Sequence, residues 1–440
     1  MTVVAAAPAV SHRRILGIAG PIMVSNVTVP ILGAVDTAVI GQLGQAAPLG
    51  AVGLGAVILA SIYWIFGFLR MGTTGLVAQA RGAGDAAETG ALLTRGLMIG
   101  AAAGVVFIAA QAAVFWGAFR LAPASAEVEA LARQYLSIRI WGAPAAISIY
   151  ALTGWLIAME RARGVLALQL AMNGLNVVLT IAFVLGMGWG IPGVAAGTLI
   201  AEWAGFGLGL WLCRAAFAGA QWRDWARVLD PARLRRMAAV NGDILVRSVV
   251  LQGSFTTFLF LGAGLGDVTL AANQVLLQFL EVSAYALDAF AFAAEALVGQ
   301  ALGNRDRAGL RQAAVMTAEW GVGASLAMAA IIVLAGPALI ALMTTAPDVR
   351  AEALAYLPWM AAAPLVGIAA WMLDGIFIGS TETRALRNAM LFSVAVYAVS
   401  LVVLLPAFGN HGLWAALMIL NLTRGVTLAR RYPALEARAA

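Results

Sequence analysis

The segment Gln79-Ala80-Arg81-Gly82-Ala83-Gly84-Asp85 returns in the second half of the chain as Gln300-Ala301-Leu302-Gly303-Asn304-Arg305-Asp306, preserving Gln-Ala-x-Gly-x-x-Asp. Other matches fall at nearly the same offset: Leu43-Gly44 with Leu265-Gly266, Tyr135-Leu136 with Tyr356-Leu357, and Gly154 with Gly375. Gly193-Val-Ala-Ala196 aligns with Gly412-Leu-Trp-Ala-Ala416 after a one-residue slip. Each match is weak alone, but several in one register imply an internal duplication. The halves expected are 1–219 and 237–440, joined by a basic connector over 220–236.

Composition says what is duplicated. Of 440 residues, 62% are hydrophobic and only 11% charged, against about 25% charged in an ordinary soluble domain. A crossing helix needs about 20 apolar residues, so the expected fold class is an all-α polytopic membrane protein of twelve spans. The spans are placed near 15–41, 50–79, 91–118, 132–158, 165–188, 192–216, 237–263, 268–300, 313–343, 350–379, 387–408 and 411–430. Long continuous apolar runs argue against a β-barrel. Six spans per copy is even, so both copies enter the membrane in one orientation and are related by an approximate two-fold axis along its normal.

Every basic side chain is Arg. The arginines fall in alternate loops, including Arg13 and Arg14, Arg81 and Arg95, Arg223 to Arg236, and Arg305 to Arg311. Loops 42–50, 186–192 and 407–412 carry none. By the positive-inside rule both termini are expected to be cytoplasmic, in a multi-pass protein of a bacterial inner membrane with no removable signal peptide. The basic balance thus reflects topology, and no nucleic-acid partner is expected. One cysteine and two histidines leave little for a metal site, and none is expected beyond a Na⁺ that Asp36 could hold. Without lysine a phosphate-binding Walker loop cannot form, so transport would draw on an ion gradient and no organic cofactor is expected.

Asp36, near the end of the first span, is the main candidate, because a carboxylate in hydrocarbon is costly unless paired, hydrated or protonated. Neutral oxygen groups of the same half join it: Asn173, Asn176 and Thr180 at helical spacing on the fifth span, and Thr198 on the sixth. Asp36, Asn176, Thr180 and Thr198 form the candidate coupling-ion site. Candidates for a substrate cavity are Asn173, Tyr63, Glu281, Asp288, Glu295 and Asp374. Glu281, Asp288 and Glu295 recur every seven residues, near one helical stripe. Arg70 and Arg247 are candidate partners for these acids. Pro30 and Pro144 can kink their spans.

The strings Pro30-Ile-Leu-Gly-Ala-Val-Asp36-Thr-Ala-Val-Ile-Gly-Gln-Leu-Gly44, Leu175-Asn176-Val-Val-Leu-Thr180 and Ala271-Ala-Asn273-Gln274 resemble the multidrug and toxic compound extrusion (MATE) transporters. Tyr285 to Gly299 and Leu373-Asp374-Gly375-Ile-Phe-Ile-Gly379 resemble the DinF-like branch. The resemblance implies two six-helix lobes exporting organic or lipophilic cations, or other xenobiotics, in exchange for H⁺, or secondarily Na⁺, by a monomer among membrane lipids. It also implies that Asp36 takes the coupling ion and that Asn176 and Thr198 are its polar partners. Thr180 stands where some relatives carry a second Asp. That leaves one clear carboxylate in the N-terminal half and tilts the expectation toward H⁺. The alternatives are a flippase for lipid-linked precursors, disfavoured by the acidic intramembrane charge, and a membrane-embedded enzyme, disfavoured by the scarcity of His and Cys.

Overall fold

A computed structural model describes residues 9–42 and 46–439; within the first helix the side chains of residues 29–34, 36 and 37 lie outside the described set. The described chain is helical, without strands. In the first half the helices are α1 (His12–Gly41), α2 (Ala46–Ile65), α3 (Gly67–Gly82), α4 (Ala86–Ala109), α5 (Gln111–Leu121), α6 (Ala126–Arg139), α7 (Ala143–Ala158), α8 (Ala162–Ile181) and α9 (Ile191–Leu212). A short helix α10 (Trp225–Val228) lies in the connector. The second half holds α11 (Pro231–Ala263), α12 (Asp267–Gly303), α13 (Arg307–Met343), α14 (Pro347–Gly379), α15 (Thr383–Phe408) and α16 (Asn410–Glu436). Eleven helical runs among the described residues are long and apolar enough to cross a membrane. The expected first span falls on α1, part of which lies outside the described side chains.

Three expected spans are interrupted. The second breaks at Phe66, where Phe66 N–H bonds Tyr63 O at 2.9 Å and Leu69 N–H bonds Phe66 O at 2.8 Å, three-residue closures that tighten the helix. The third breaks at Ala110. The fourth passes through a tight turn at Ile140–Gly142 just before Pro144, which opens α7. A proline in the first turn forfeits no helical hydrogen bond, so the break expected at Pro144 falls immediately before it.

The duplication is written in the backbone. Glu160 and Thr381, at 56° and 54°, and Gly84 and Arg305, at 71° and 55°, share positive φ at the offset that relates Gln79 to Gln300. Gly190 and Gly409 match at 57° and 54°. Three of these are not glycine, so the left-handed conformation is imposed by the helix ending rather than by the residue. The ending recurs: Arg161 N–H reaches Leu156 O at 2.8 Å, and Glu382 N–H reaches Phe377 O at 3.0 Å. The next helices start alike, with Asp85 capping Glu88 N–H at 2.9 Å and Asp306 capping Gly309 N–H at 2.8 Å. Gly154 and Gly375 also correspond. A methyl group on either would stand 2.5 Å from a carbonyl oxygen, of Arg70 and Ala291 respectively, themselves one repeat apart.

The chain forms two compact units. One gathers Val24–Val77 and Asp85–Arg235; the other gathers Arg236–Ala440 with Met1–Met23 and Ala78–Gly84. In the first, α4 packs on α7, α8 on α9, and α2 on α6. The connector is fastened there: Arg95, buried within α4, donates to the carbonyls of Val228 at 2.8 Å and Arg227 at 2.6 Å, and pairs with Glu88 at 2.7 Å. Glu88 also pairs with Arg233. Burial lowers the pKa of Arg227, but its hydrogen bond to Asp85 and the nearby carboxylates raise it on balance. In the second unit α12 packs on α13 and α14, and α16 on α14 and α15. Its core includes Phe258 and Trp414, edge to face at 5.0 Å, with Leu276, Met360 and Tyr397.

Candidate functional site

The polar seam of the first unit follows from helix periodicity. Asn173, Asn176 and Thr180 are spaced by three and four on α8, share one face, and are all buried. Asn176 Nδ2 donates to Thr198 Oγ1 on α9 at 2.8 Å, and that hydroxyl donates to Val194 O at 2.9 Å. Asn173 Nδ2 donates to Thr28 Oγ1 on α1 at 3.1 Å. Gly197 allows the approach of α9 to α8, since a Cβ there would lie 3.1 Å from Thr180 N and 3.2 Å from its Oγ1. The seam therefore joins α1, α8 and α9 through neutral groups. Asn176 Oδ1 is buried and accepts no hydrogen bond among the described residues. The side chain of Asp36 lies outside those described; its position falls on α1.

Tyr63 is buried on α2, its hydroxyl without a hydrogen-bond partner among the described residues. In the same unit Arg139 of α6 forms a two-pronged pair with Glu202 of α9, at 2.7 and 2.8 Å. Sequence reasoning misses this pair, although an acid inside an otherwise apolar sixth span is its signal.

In the second unit Glu281, Asp288 and Glu295 all lie on α12, exposed, half-buried and buried in turn. Asp374 on α14 is buried, and its Oδ2 accepts from both Arg247 of α11 and Arg424 of α16. The sequence singles out Arg247 as a partner for the acids, but not Arg424. Arg424 also donates to Asn421 Oδ1 at 3.1 Å. Toward the other end of α12, Asn273 and Asn410 exchange amide hydrogen bonds at 2.8 and 3.0 Å, and Trp414 Nε1 donates to Asn273 Oδ1 at 2.9 Å. The two units thus differ chemically. A carboxylate clasped by two guanidiniums is a fixed ionic cluster, whereas a seam of neutral oxygens can receive a proton-bearing group or a cation.

The MatE family model matches residues 21–201 and 244–404. The chain belongs to the MatE family. It is 37% identical to the DNA damage-inducible protein F of Escherichia coli, over 95% of this chain and 91% of that one. It is 31% identical to a probable multidrug resistance protein NorM of Synechococcus, over 71% of this chain and 67% of that one. In fold it is similar to the Vibrio cholerae MATE transporter VcmN in its bent form, with a TM-score of 0.87, 20% identity and 97% of both chains covered. A multidrug resistance MATE transporter captured facing outward gives a TM-score of 0.85 at 18% identity, with 96% of both chains covered. This MATE protein is therefore a multi-pass membrane transporter of small molecules with the two-lobed helical fold, and not an enzyme.

Proposed function

We propose that this MATE transporter exports drugs and other lipophilic cations in exchange for protons, with Asp36 as the proton-carrying group at the seam of α1, α8 and α9. The observation carrying this reading is the buried Asn176 Oδ1, which has no donor among the described residues. A buried acceptor without a partner costs about 1–3 kcal/mol, and a protonated carboxyl is one of the few groups in hydrocarbon that could satisfy it. Helical register supports Asp36 as that group. Thr28 of α1 meets Asn173 of α8, and Asp36 follows Thr28 by eight positions while Thr180 follows Asn173 by seven. In the twelve-span reading the first and fifth spans run the same way, so the common helical rise brings position 36 level with Thr180. A Na⁺ would want several oxygens, which Asp36, Asn176, Thr180 and Thr198 could offer, but a single buried carboxyl suffices to carry H⁺, and Thr180 supplies no second negative charge, which favours H⁺. The relatives' names support drugs as substrates. An acidic site favours cations among them.

The test is efflux from proteoliposomes loaded with a lipophilic cationic dye, under separately imposed pH and Na⁺ gradients. A pH gradient alone drives efflux, a Na⁺ gradient alone does not, and Asp36→Asn abolishes the pH-driven flux while the protein still elutes as a folded species. Full pH-driven flux in Asp36→Asn would overturn the assignment, and flux under Na⁺ alone would change the ion.

A further inference from the structure

At the end of the second unit away from the arginine-bearing turns, a histidine, a tyrosine and a tryptophan meet. His411, in the first turn of α16, is exposed, and its Nδ1 accepts the indole N–H of Trp359 on α14 at 2.9 Å. The Tyr356 ring lies against the same imidazole, with 4.6 Å between centroids. Trp359 follows Tyr356 by three positions on α14 and Glu352 precedes it by four, so the three share one helical stripe. Glu352 is half-buried, and its Oε1 accepts from Thr269 of α12 at 2.8 Å. The other charged groups at this end are Asp348 and Arg350 of α14 and Asp267 of α12. Arg350 is bonded to the carbonyls of Thr344 at 2.6 Å and Ala341 at 2.7 Å. Helices α11, α13 and α15 bring no charged residue there. Trp359 stands between Pro358 and Pro364, both inside α14. Each proline deprives the carbonyl four residues earlier of its helical donor, so the backbone around Trp359 has fewer bonds of its own. Further along, α14 and α16 meet again at Asp374 and Arg424.

We infer that His411 is a proton-operated switch between α14 and α16: neutral, it ties Trp359, and protonated, it releases Trp359 and turns to Glu352. The chemistry of the two rings dictates the first half. An indole nitrogen only donates, and an imidazolium carries a hydrogen on both nitrogens, so this bond exists only while Nδ1 is unprotonated. Imidazoles change charge between about pH 5 and 8. Glu352, one turn before Tyr356 on the same stripe, supplies the carboxylate that draws the imidazolium away from Trp359. The contact at Asp374 contains no imidazole, so over that range only the link at His411 responds. In the twelve-span reading this end of the unit faces outward, the side from which an H⁺ gradient delivers protons. The switch makes turnover depend on outside pH through a group separate from the coupling carboxylate, and it does not require Asp36 to be the proton carrier.

Fluorine NMR of the full chain labelled with 5-fluorotryptophan, in lipid nanodiscs, reports the bond directly, with Trp359 assigned from the signal lost in Trp359→Phe. Its resonance should move in one step between about pH 5 and 8. In His411→Gln, whose side-chain oxygen still accepts an indole N–H but takes no proton in that range, the resonance should stay in place. Glu352→Gln should keep the step but require on the order of threefold more protons to reach its midpoint, because the imidazolium loses a partly exposed counter-charge. A Trp359 resonance that does not move in the parent, one that still moves in His411→Gln, or an unmoved midpoint in Glu352→Gln would overturn the switch. Its consequence for transport is measured as dye efflux against outside pH. His411→Gln should still move dye, with the step in this range removed from its profile; a profile identical to the parent's would overturn the regulatory role. Failure of Asp36 as the proton carrier leaves the Trp359 resonance titrating, so the two readings fail separately.

Discussion

At the residue scale Asp374 is the carboxylate whose surroundings are most fully defined. It lies in an apolar span, yet two buried guanidiniums share one of its oxygens. Removing one partner of a buried ionic cluster leaves uncompensated charge at a cost of about 3–5 kcal/mol. Asp374→Asn leaves both guanidiniums without the carboxylate they share and should therefore lower the unfolding temperature in detergent markedly, whereas Arg424→Met leaves the balanced Asp374–Arg247 pair and should lower it less. The double variant, with charge balance partly restored, should lose less than the sum of the two. Strict additivity would show that the groups do not interact. This tests a structural office for Asp374, whereas the Asn176–Thr198 bond belongs to the seam: Asn176→Leu should cut pH-driven flux far more than it lowers stability, as followed by dye efflux beside thermal unfolding.

Packing of α8 against α9 is the corresponding test at the scale of elements. Gly197 faces Thr180 at a separation that a methyl group would reach with only a few tenths of an ångström of adjustment. Gly197→Ala should be nearly silent, whereas Gly197→Val should cost about 1–3 kcal/mol by overpacking and should reduce coupled transport by prising Asn176 from Thr198. An equal effect of Ala and Val would show that the contact is not tight. Helix existence was legible because long apolar runs admit few alternatives in a membrane, and most helix ends coincide with the arginine-bearing or glycine-bearing turns read from the chain. The breaks at Phe66 and Ala110 were not legible, since neither carries a proline; Gly67 was the only cue at the first. The Asn173, Asn176 and Thr180 face was readable from spacing within one helix. The Arg139–Glu202 pair and the second arginine on Asp374 were not, because a single sequence carries no register between separate helices.

For the whole molecule, the offset in sequence and the repeated left-handed helix endings describe one duplication, but the compact units do not coincide with the two sequence halves. The connector through Arg235 clusters with the first unit, held by Arg95 and Glu88, while the first turns of α1 and residues 78–84 cluster with the second. A unit assembled from three separated stretches of chain should not be complete when made from one of them. Fragments 1–235 and 236–440, co-expressed with an affinity tag on one only, should purify together and restore pH-driven dye efflux. Fragment 236–440 alone should aggregate or be degraded, because it lacks Arg14 against Gln300, His12 against Trp320, and the 78–84 segment against Gly299 and Gly303. Each of those losses leaves a polar group or a tightly packed stretch of backbone without its partner. A monodisperse, cooperatively unfolding 236–440 fragment would show that the second half is self-sufficient and that the crosswise contacts contribute little to its folding.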